Sequence, residues 1–269
     1  MNTSIRFVII NLTIQRFIPS AQSFCAVEII FGNFSGKRKD LVAFARDVGL
    51  KLKVTTCLSM QEQTQFYSPL HPNCYYHIYN QGNNGEKVFY TVENYSYFLR
   101  KYDEYLSDVL ETYAFCLLPN HFHFLVHVKD ITVIESLEKL KLPLGKELTA
   151  ENTISELFRR FLMGYSKAIN TQQKRKGSLF RKNFKRIHVD NESYFTTVVS
   201  YIHSQMRHHG FKIRDDEYQW SSYRRILIDK PSKLQKQYVL DWFGGNEEFI
   251  KFHALNNSFH EIKKYIIEE

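Results

Sequence analysis

The chain has 269 residues, 43% of them hydrophobic and 15% aromatic, with a formal net charge of +8. That is enough apolar material for a sizeable core, and no apolar run approaches the length of a membrane span. The four cysteines (Cys25, Cys57, Cys74 and Cys116) show no CxxC spacing, and a reduced, cytoplasmic setting fits them. The apolar opening, residues 5–14, is short, is interrupted by Asn11 and lacks a small-residue cleavage site, which argues against a signal peptide.

Residues 1–65 mix apolar and basic patches without a sustained period, and read as an N-terminal extension. Met60 precedes a polar lead-in and is a candidate natural start. The pattern becomes regular over 70–225. Residues 74–80, rich in Tyr and Ile, read as a strand closed by Gln81-Gly82-Asn83-Asn84-Gly85. Residues 92–110 read as a helix with Tyr95, Phe98, Tyr102 and Leu106 at helical spacing. A strand over 112–118, in which Cys116 is a small core residue, turns at Pro119-Asn120 into a second strand over 121–128. After a charged connection, a helix runs from about 153 to 171, with Asn152 or Thr153 as cap. Residues 179–189 read as a basic strand or hairpin. A third helix covers 192–209 and stops at Gly210. Residues 226–269 form a C-terminal tail. Strand, helix, strand, strand, helix, strand and then helix is the order of an α+β fold, a ferredoxin-like split βαβ antiparallel sheet with one added helix.

Three features carry chemistry. First, the strand His121-Phe122-His123-Phe124-Leu125-Val126-His127-Val128 alternates. His121, His123, Leu125 and His127 share one face, and Phe122, Phe124, Val126 and Val128 the other. Two imidazoles two residues apart can converge on one metal ion. The same spacing also suits the polar face of a half-buried sheet.

Second, no carboxylate stands between Glu156 and Asp190, while Arg159, Arg160, Lys167, Lys174, Arg175, Lys176, Arg181, Lys182, Lys185 and Arg186 do. A cationic stretch this focused points to a polyanion, nucleic acid before membrane; a solvated helix face with a hairpin is the plainer alternative. Phe158, Phe161, Phe180 and Phe184 are interleaved with it, placed either to stack on unpaired bases or to enter the core. Third, Tyr201 and Gln205 lie at i and i+4 on one helix face. A phenol can act as a covalent nucleophile and an amide oxygen can bind a hard cation, although most helical tyrosines are packing residues.

Residues from about 74 to 225 resemble the single-tyrosine HUH transposases, the group that includes the REP-associated tyrosine transposases. The likeness rests on Tyr76-His77-Ile78-Tyr79-Asn80, on Leu118-Pro119-Asn120-His121-Phe122-His123, and on the basic Gly177-Ser178-Leu179-Phe180-Arg181-Lys182-Asn183-Phe184. It continues in Tyr201-Ile202-His203-Ser204-Gln205 and Trp220-Ser221-Ser222-Tyr223. Gln205-Met206 replaces the family's usual Asn-Pro, a mild departure because glutamine there is compatible with metal binding.

The resemblance implies that His121, His123 and Gln205 hold one divalent cation, Mg²⁺ or Mn²⁺. It implies that Tyr201 attacks a DNA phosphate, giving a 5′-phosphotyrosine and a free 3′-hydroxyl. Arg159, Arg160, Lys174, Arg175, Lys176, Arg181, Lys182, Lys185 and Arg186 would follow the backbone of single-stranded or hairpin DNA. The family includes monomers and homodimers, and no membrane or nucleotide cofactor is expected. Tyr165 is a rival nucleophile, but Ile169 stands where its amide would be. His77, His127 and His208 are neighbours more suited to structure than to catalysis. The alternative functions are a non-catalytic DNA-hairpin-binding protein and, further off, a metal-dependent hydrolase.

Overall fold

The computed structural model describes residues 66–136, 145, 147–190 and 192–255, together with two short strands nearer the N-terminus. The chain forms two compact units, Met1–Ser59 and Met60–Glu269. In the first, β1 (Asn11–Thr13) pairs antiparallel with β2 (Ala26–Glu28). Met60, Cys25 and Cys57 lie outside the described residues.

The second unit is built on a four-stranded sheet of β3 (Tyr75–Gln81), β4 (Leu110–Leu118), β5 (His121–Val128) and β6 (Lys185–Val189). Their order is β4-β5-β3-β6 and every pair is antiparallel. With α1 (Val92–Leu106) and α3 (Ala150–Gln172) as the two crossovers, this is the ferredoxin-like arrangement expected from the sequence. A short α2 (Ile131–Glu135) lies between β5 and α3.

Period-two alternation divides the core into two layers. Tyr76, Ile78, Phe122, Phe124 and Val126 pack with Phe98 and Tyr102 of α1 and with Phe158 and Phe161 of α3. On the opposite face, Tyr79, Cys116, Leu118 and Leu125 pack with Val198, Tyr201 and Ile202 of α4 (Glu192–His203). A bulge at Tyr113, between Thr112 and Ala114, puts Tyr113 and Ala114 together on that second face before alternation resumes. The residues beyond 225, expected as a tail, add α7 (Lys236–Phe243) and α8 (Asn246–Leu255) to this layer through Val239, Phe243 and Phe249. They follow α5 (Gln205–His208) and α6 (Tyr223–Leu227).

Both sheet edges are covered, which removes an open template for strand addition. Residues 66–68 bond to Arg186 on β6, and 220–222 bond to Phe115 and Leu117 on β4.

The elements differ from expectation at their ends. The first helix stops at Leu106 because Leu110 already pairs with Val128 in the sheet. The second begins at Ala150, capped by Thr149 rather than Asn152 or Thr153, and Asn152 supplies the capped N–H. Only residues 185–189 of the basic hairpin are strand; Phe180 makes a single bridge to Gly82. The third helix is broken at Ser204 (φ −87°, ψ 7°) into α4 and α5.

The turn that aims His121 is held from outside. Pro119 cannot supply the positive φ that two-residue hairpins favour. Instead its carbonyl accepts from Val88 N (2.8 Å) and Phe89 N (3.0 Å), and the Asn120 carbonyl accepts from Gly82 N (2.8 Å). A Cβ on Gly82 would lie 2.2 Å from the Glu86 carbonyl oxygen, so the 82–88 loop must shift in Gly82→Ala. We expect that variant to lose about 1–3 kcal/mol in urea denaturation, the usual cost of overpacking; an unchanged midpoint would show that the loop yields freely.

A buried relay ties α8 to the sheet. His253 Nδ1–H donates to the Phe249 carbonyl (2.8 Å), His253 Nε2 meets His203 Nδ1 (2.9 Å), and His203 Nε2 meets Ser222 Oγ (2.7 Å). Burial lowers the His253 pKa to about 4. The unfolded chain, with histidine near 6.5, therefore binds protons first on acidification, and stability falls as pH drops from about 6.5 towards 4. Denaturation midpoints across that window should fall, His253 alone contributing on the order of 3 kcal/mol. A His253→Gln variant should show a shallower fall; equal slopes would remove His253 as a contributor.

Candidate metal and nucleophile site

The second face of the sheet carries a cluster of aromatic and imidazole rings under α4 and α5. Register places Tyr79 directly opposite His123 and Gln81 opposite His121. His123 sits in the central strand with its Nδ1 2.9 Å from His77 Nε2. His121 has its Nδ1 2.7 Å from the Asn120 side-chain oxygen. An amide oxygen only accepts, so His121 Nδ1 carries the proton and Nε2 keeps its lone pair. A proton on His123 Nδ1, donated to His77, leaves the same lone pair on His123 Nε2.

The nitrogens left over are the informative ones. His121 Nε2 and His123 Nε2 are buried with no hydrogen-bond partner, and so is Gln205 Oε1. The Gln205 amide nitrogen reaches back to the Tyr201 carbonyl (3.4 Å), which directs the oxygen away from its own helix. Buried polar atoms are normally paired. Three unpaired acceptors on the three residues singled out for a cation fit a divalent ion of mixed nitrogen and oxygen preference. Among the described residues no group of three His, Cys, Asp or Glu side chains is placed to hold a metal.

Electrostatics keeps those lone pairs available. Burial pushes His121 down to about 3, helped by His209, while the adjacent Gln205 side chain pulls the other way. His77 is lowered to about 3 by burial alone. His123 falls further below its ordinary value, first through burial and then through the surrounding His77, His121, His209 and His208. Neutral imidazoles at ordinary pH are what metal ligation needs.

Tyr201 belongs to this cluster. Its ring meets His123 edge-on at 5.8 Å and His77 at 5.9 Å, and stacks on His208 at 5.4 Å. It is only 3% exposed and does not line the cleft that opens over the histidines. That cleft, about 340 Å³, is lined by His121, His123, His209 and Tyr79 together with Arg181, Lys182 and Lys185. Tyr79 lies beside both His77 (5.0 Å) and His123 (5.3 Å), whose own rings are 5.1 Å apart. Tyr165 is elsewhere, buried in the first core layer with its hydroxyl on the Val88 carbonyl (2.8 Å). His127 lies at the far end of β5, paired with Glu111 (3.1 Å).

A second and larger cleft, about 1120 Å³, runs beside α3 and the 177–186 segment. Arg159, Arg175, Arg181, Lys182 and Arg186 line it; Arg160, Lys174 and Lys176 line neither cleft. Several cations are already neutralised. Glu156 bonds both Arg159 and Arg160 (2.7 Å each), Glu86 takes Arg175, and Glu151 takes Arg186. The carboxylate-free stretch thus borrows partners from its boundary and from distant loops. Phe158, Phe161, Phe180 and Phe184 are all buried in the first core layer, so the base-stacking role considered for them is corrected: they are core.

Sequence reasoning missed Asn120 as the group that orients His121, and it missed Tyr79 and His209. Tyr79 shares the strand face of His77 by simple alternation, a legible signal once β3 is known to neighbour β5. No sequence signal marks His209, whose ring lies 4.6 Å from that of His121 at the end of α5.

No family model matches the chain, and no curated protein matches it. Among solved structures it is similar to the REP-associated tyrosine transposase bound to a REP hairpin, with 15% identity and a TM-score of 0.43 over 59% of this chain and 81% of that one. It is also similar to a bacterial tRNA(His) guanylyltransferase (Thg1)-like protein in complex with ATP, with 9% identity and a TM-score of 0.33 over 68% and 74%. Identities this low leave activity and substrate to be argued from this chain's own residues.

Proposed function

We propose that the protein is a metal-dependent DNA strand transferase that cuts and rejoins single-stranded or hairpin DNA through a tyrosine, as in DNA transposition. The observation that carries the reading is that three buried atoms without a partner, His121 Nε2, His123 Nε2 and Gln205 Oε1, occur in the layer that also contains Tyr201. These residues would hold the divalent cation, Mg²⁺ or Mn²⁺. When bound, it supplies Lewis acidity toward the scissile phosphate.

The chain's own groups do the rest. Asn120 fixes the tautomer of His121, and His77 holds the His123 ring through its Nδ1. Arg181 and Lys182, which line both clefts, hold the backbone on either side of the scissile phosphate. The Tyr201 oxygen bonds to phosphorus, the bond from phosphorus to the 3′ oxygen breaks, and the phenolic proton ends on the released 3′-hydroxyl. The phosphodiester energy is kept in the phosphotyrosine, so the reverse step rejoins a strand without ATP.

The burial of Tyr201 favours one competing reading, a module that binds a DNA hairpin and does not cut it. Labelled hairpin oligonucleotides with Mn²⁺, run on a denaturing gel, separate the two. We expect a slow covalent adduct that disappears with EDTA and with Tyr201→Phe, while native-gel binding survives that substitution. Binding with no adduct on any hairpin would replace the transferase by the binding module. Mapping the adducted peptide also identifies the phenol, because Tyr79 lines the histidine cleft and would be labelled instead if it were the nucleophile.

Ligation has its own readout. Mn²⁺ at about a hundred times its dissociation constant should stabilise the wild-type protein by roughly 2.7 kcal/mol in thermal unfolding. Gln205→Leu should lose that shift while unfolding no earlier without metal, since it removes a buried unpaired acceptor. A full Mn²⁺ response in Gln205→Leu would exclude the amide oxygen from the ligand set.

A further inference from the structure

We infer that Tyr67 is a stacking platform for one unpaired base, seated where the cationic groove meets the histidine cleft. The inference rests on the DNA-processing reading above and names a positioning residue within it. Tyr67 lines both clefts, as do Arg181, Lys182 and Asn183. Tyr67 is 38% exposed, whereas the Tyr and Phe residues that also line either cleft, Tyr79, Phe180 and Phe184, are buried. No hydrogen bond or ring contact engages the Tyr67 side chain among the described residues.

A single exposed tyrosine is ordinary on any surface. Its mounting and its place are what point to a ligand. The backbone around it is fixed along the edge of β6, with a bridge between Tyr67 and Arg186, Ser68 N donating to the Arg186 carbonyl (3.2 Å) and Arg186 N donating to the Phe66 carbonyl (2.8 Å). The ring is therefore carried on an ordered segment, and seating a base on it orders little more than the side chain. Arg181 and Lys182 beside it supply the charge that draws a phosphate backbone into the same space. Bases within a duplex are already stacked on both faces, so a ring placed here rewards a base that is unpaired. The strand would then pass from the groove over Tyr67 to the histidines, with the stacked base setting which phosphate arrives there.

The test uses the full chain in EDTA, with hairpin oligonucleotides carrying 2-aminopurine at one unpaired position at a time. We expect one position whose fluorescence on binding differs between wild type and Tyr67→Leu. Tyr67→Leu should bind about tenfold more weakly, the worth of one base–aromatic stack, and Tyr67→Phe should bind like wild type. Because the side chain is exposed, both variants should unfold at the wild-type temperature, which separates loss of stacking from loss of fold. Equal affinity and an unchanged 2-aminopurine profile in Tyr67→Leu would overturn this inference and leave the strand-transfer reading intact, since covalent adducts would still form with metal. Failure of the wild type to bind any DNA would overturn both.

Discussion

The site depends on the cost of leaving acceptors unpaired inside a folded protein. Each buried polar atom without a partner costs about 1–3 kcal/mol, and among the described residues His77 Nδ1, His121 Nε2, His123 Nε2 and Gln205 Oε1 are such atoms within one small layer. The hydroxyl next to Gln205 in sequence, Ser204, is engaged by His208. Packing on both faces of the sheet has to offset the deficit. His121 and His123 lie on β5, which has a strand on each side, and their inner nitrogens are buried although the rings reach the cleft.

Two kinds of ring support follow from this placement. Backbone register fixes where each imidazole stands, and a side-chain partner fixes which nitrogen points inward. Asn120 serves His121 from the turn, and that turn is itself pinned by Gly82, Val88 and Phe89. His77 serves His123 from the adjacent strand. The loop after β3, the β4–β5 hairpin and the two imidazoles therefore form one mechanical unit. A change at Gly82 reaches His121 through backbone hydrogen bonds, without any altered charge.

Period and parity made most of this legible in advance. Alternation over 121–128 assigned both faces of β5, and the order of strands and helices gave the sheet topology, because each depends on local pattern alone. Element ends were less legible. Leu106 and Leu110 both satisfy a helical period, and only pairing of Leu110 with Val128 decides where the helix stops. The basic stretch misled in a different way. Absence of carboxylates in sequence does not mean absence in space, and Glu86 and Glu151 reach Arg175 and Arg186 from distant segments. The interleaved phenylalanines could not be sorted into core or surface without α3, whose buried face takes Phe158 and Phe161. Tyr67 and His209 were invisible because their positions come from tertiary contacts of short, aperiodic segments.

The break at Ser204 links these observations. A continuous helix from 192 to 209 would carry Gln205 and His209 along the α4 axis. Ser204 has non-helical dihedrals, and beyond it Gln205 Oε1 is buried without a partner and His209 lines the cleft. The same break leaves Tyr201 on the last turn of α4, near the point where the helical path is interrupted. Tyr201, covered by His208, therefore sits beside that discontinuity and next to His77 and His123.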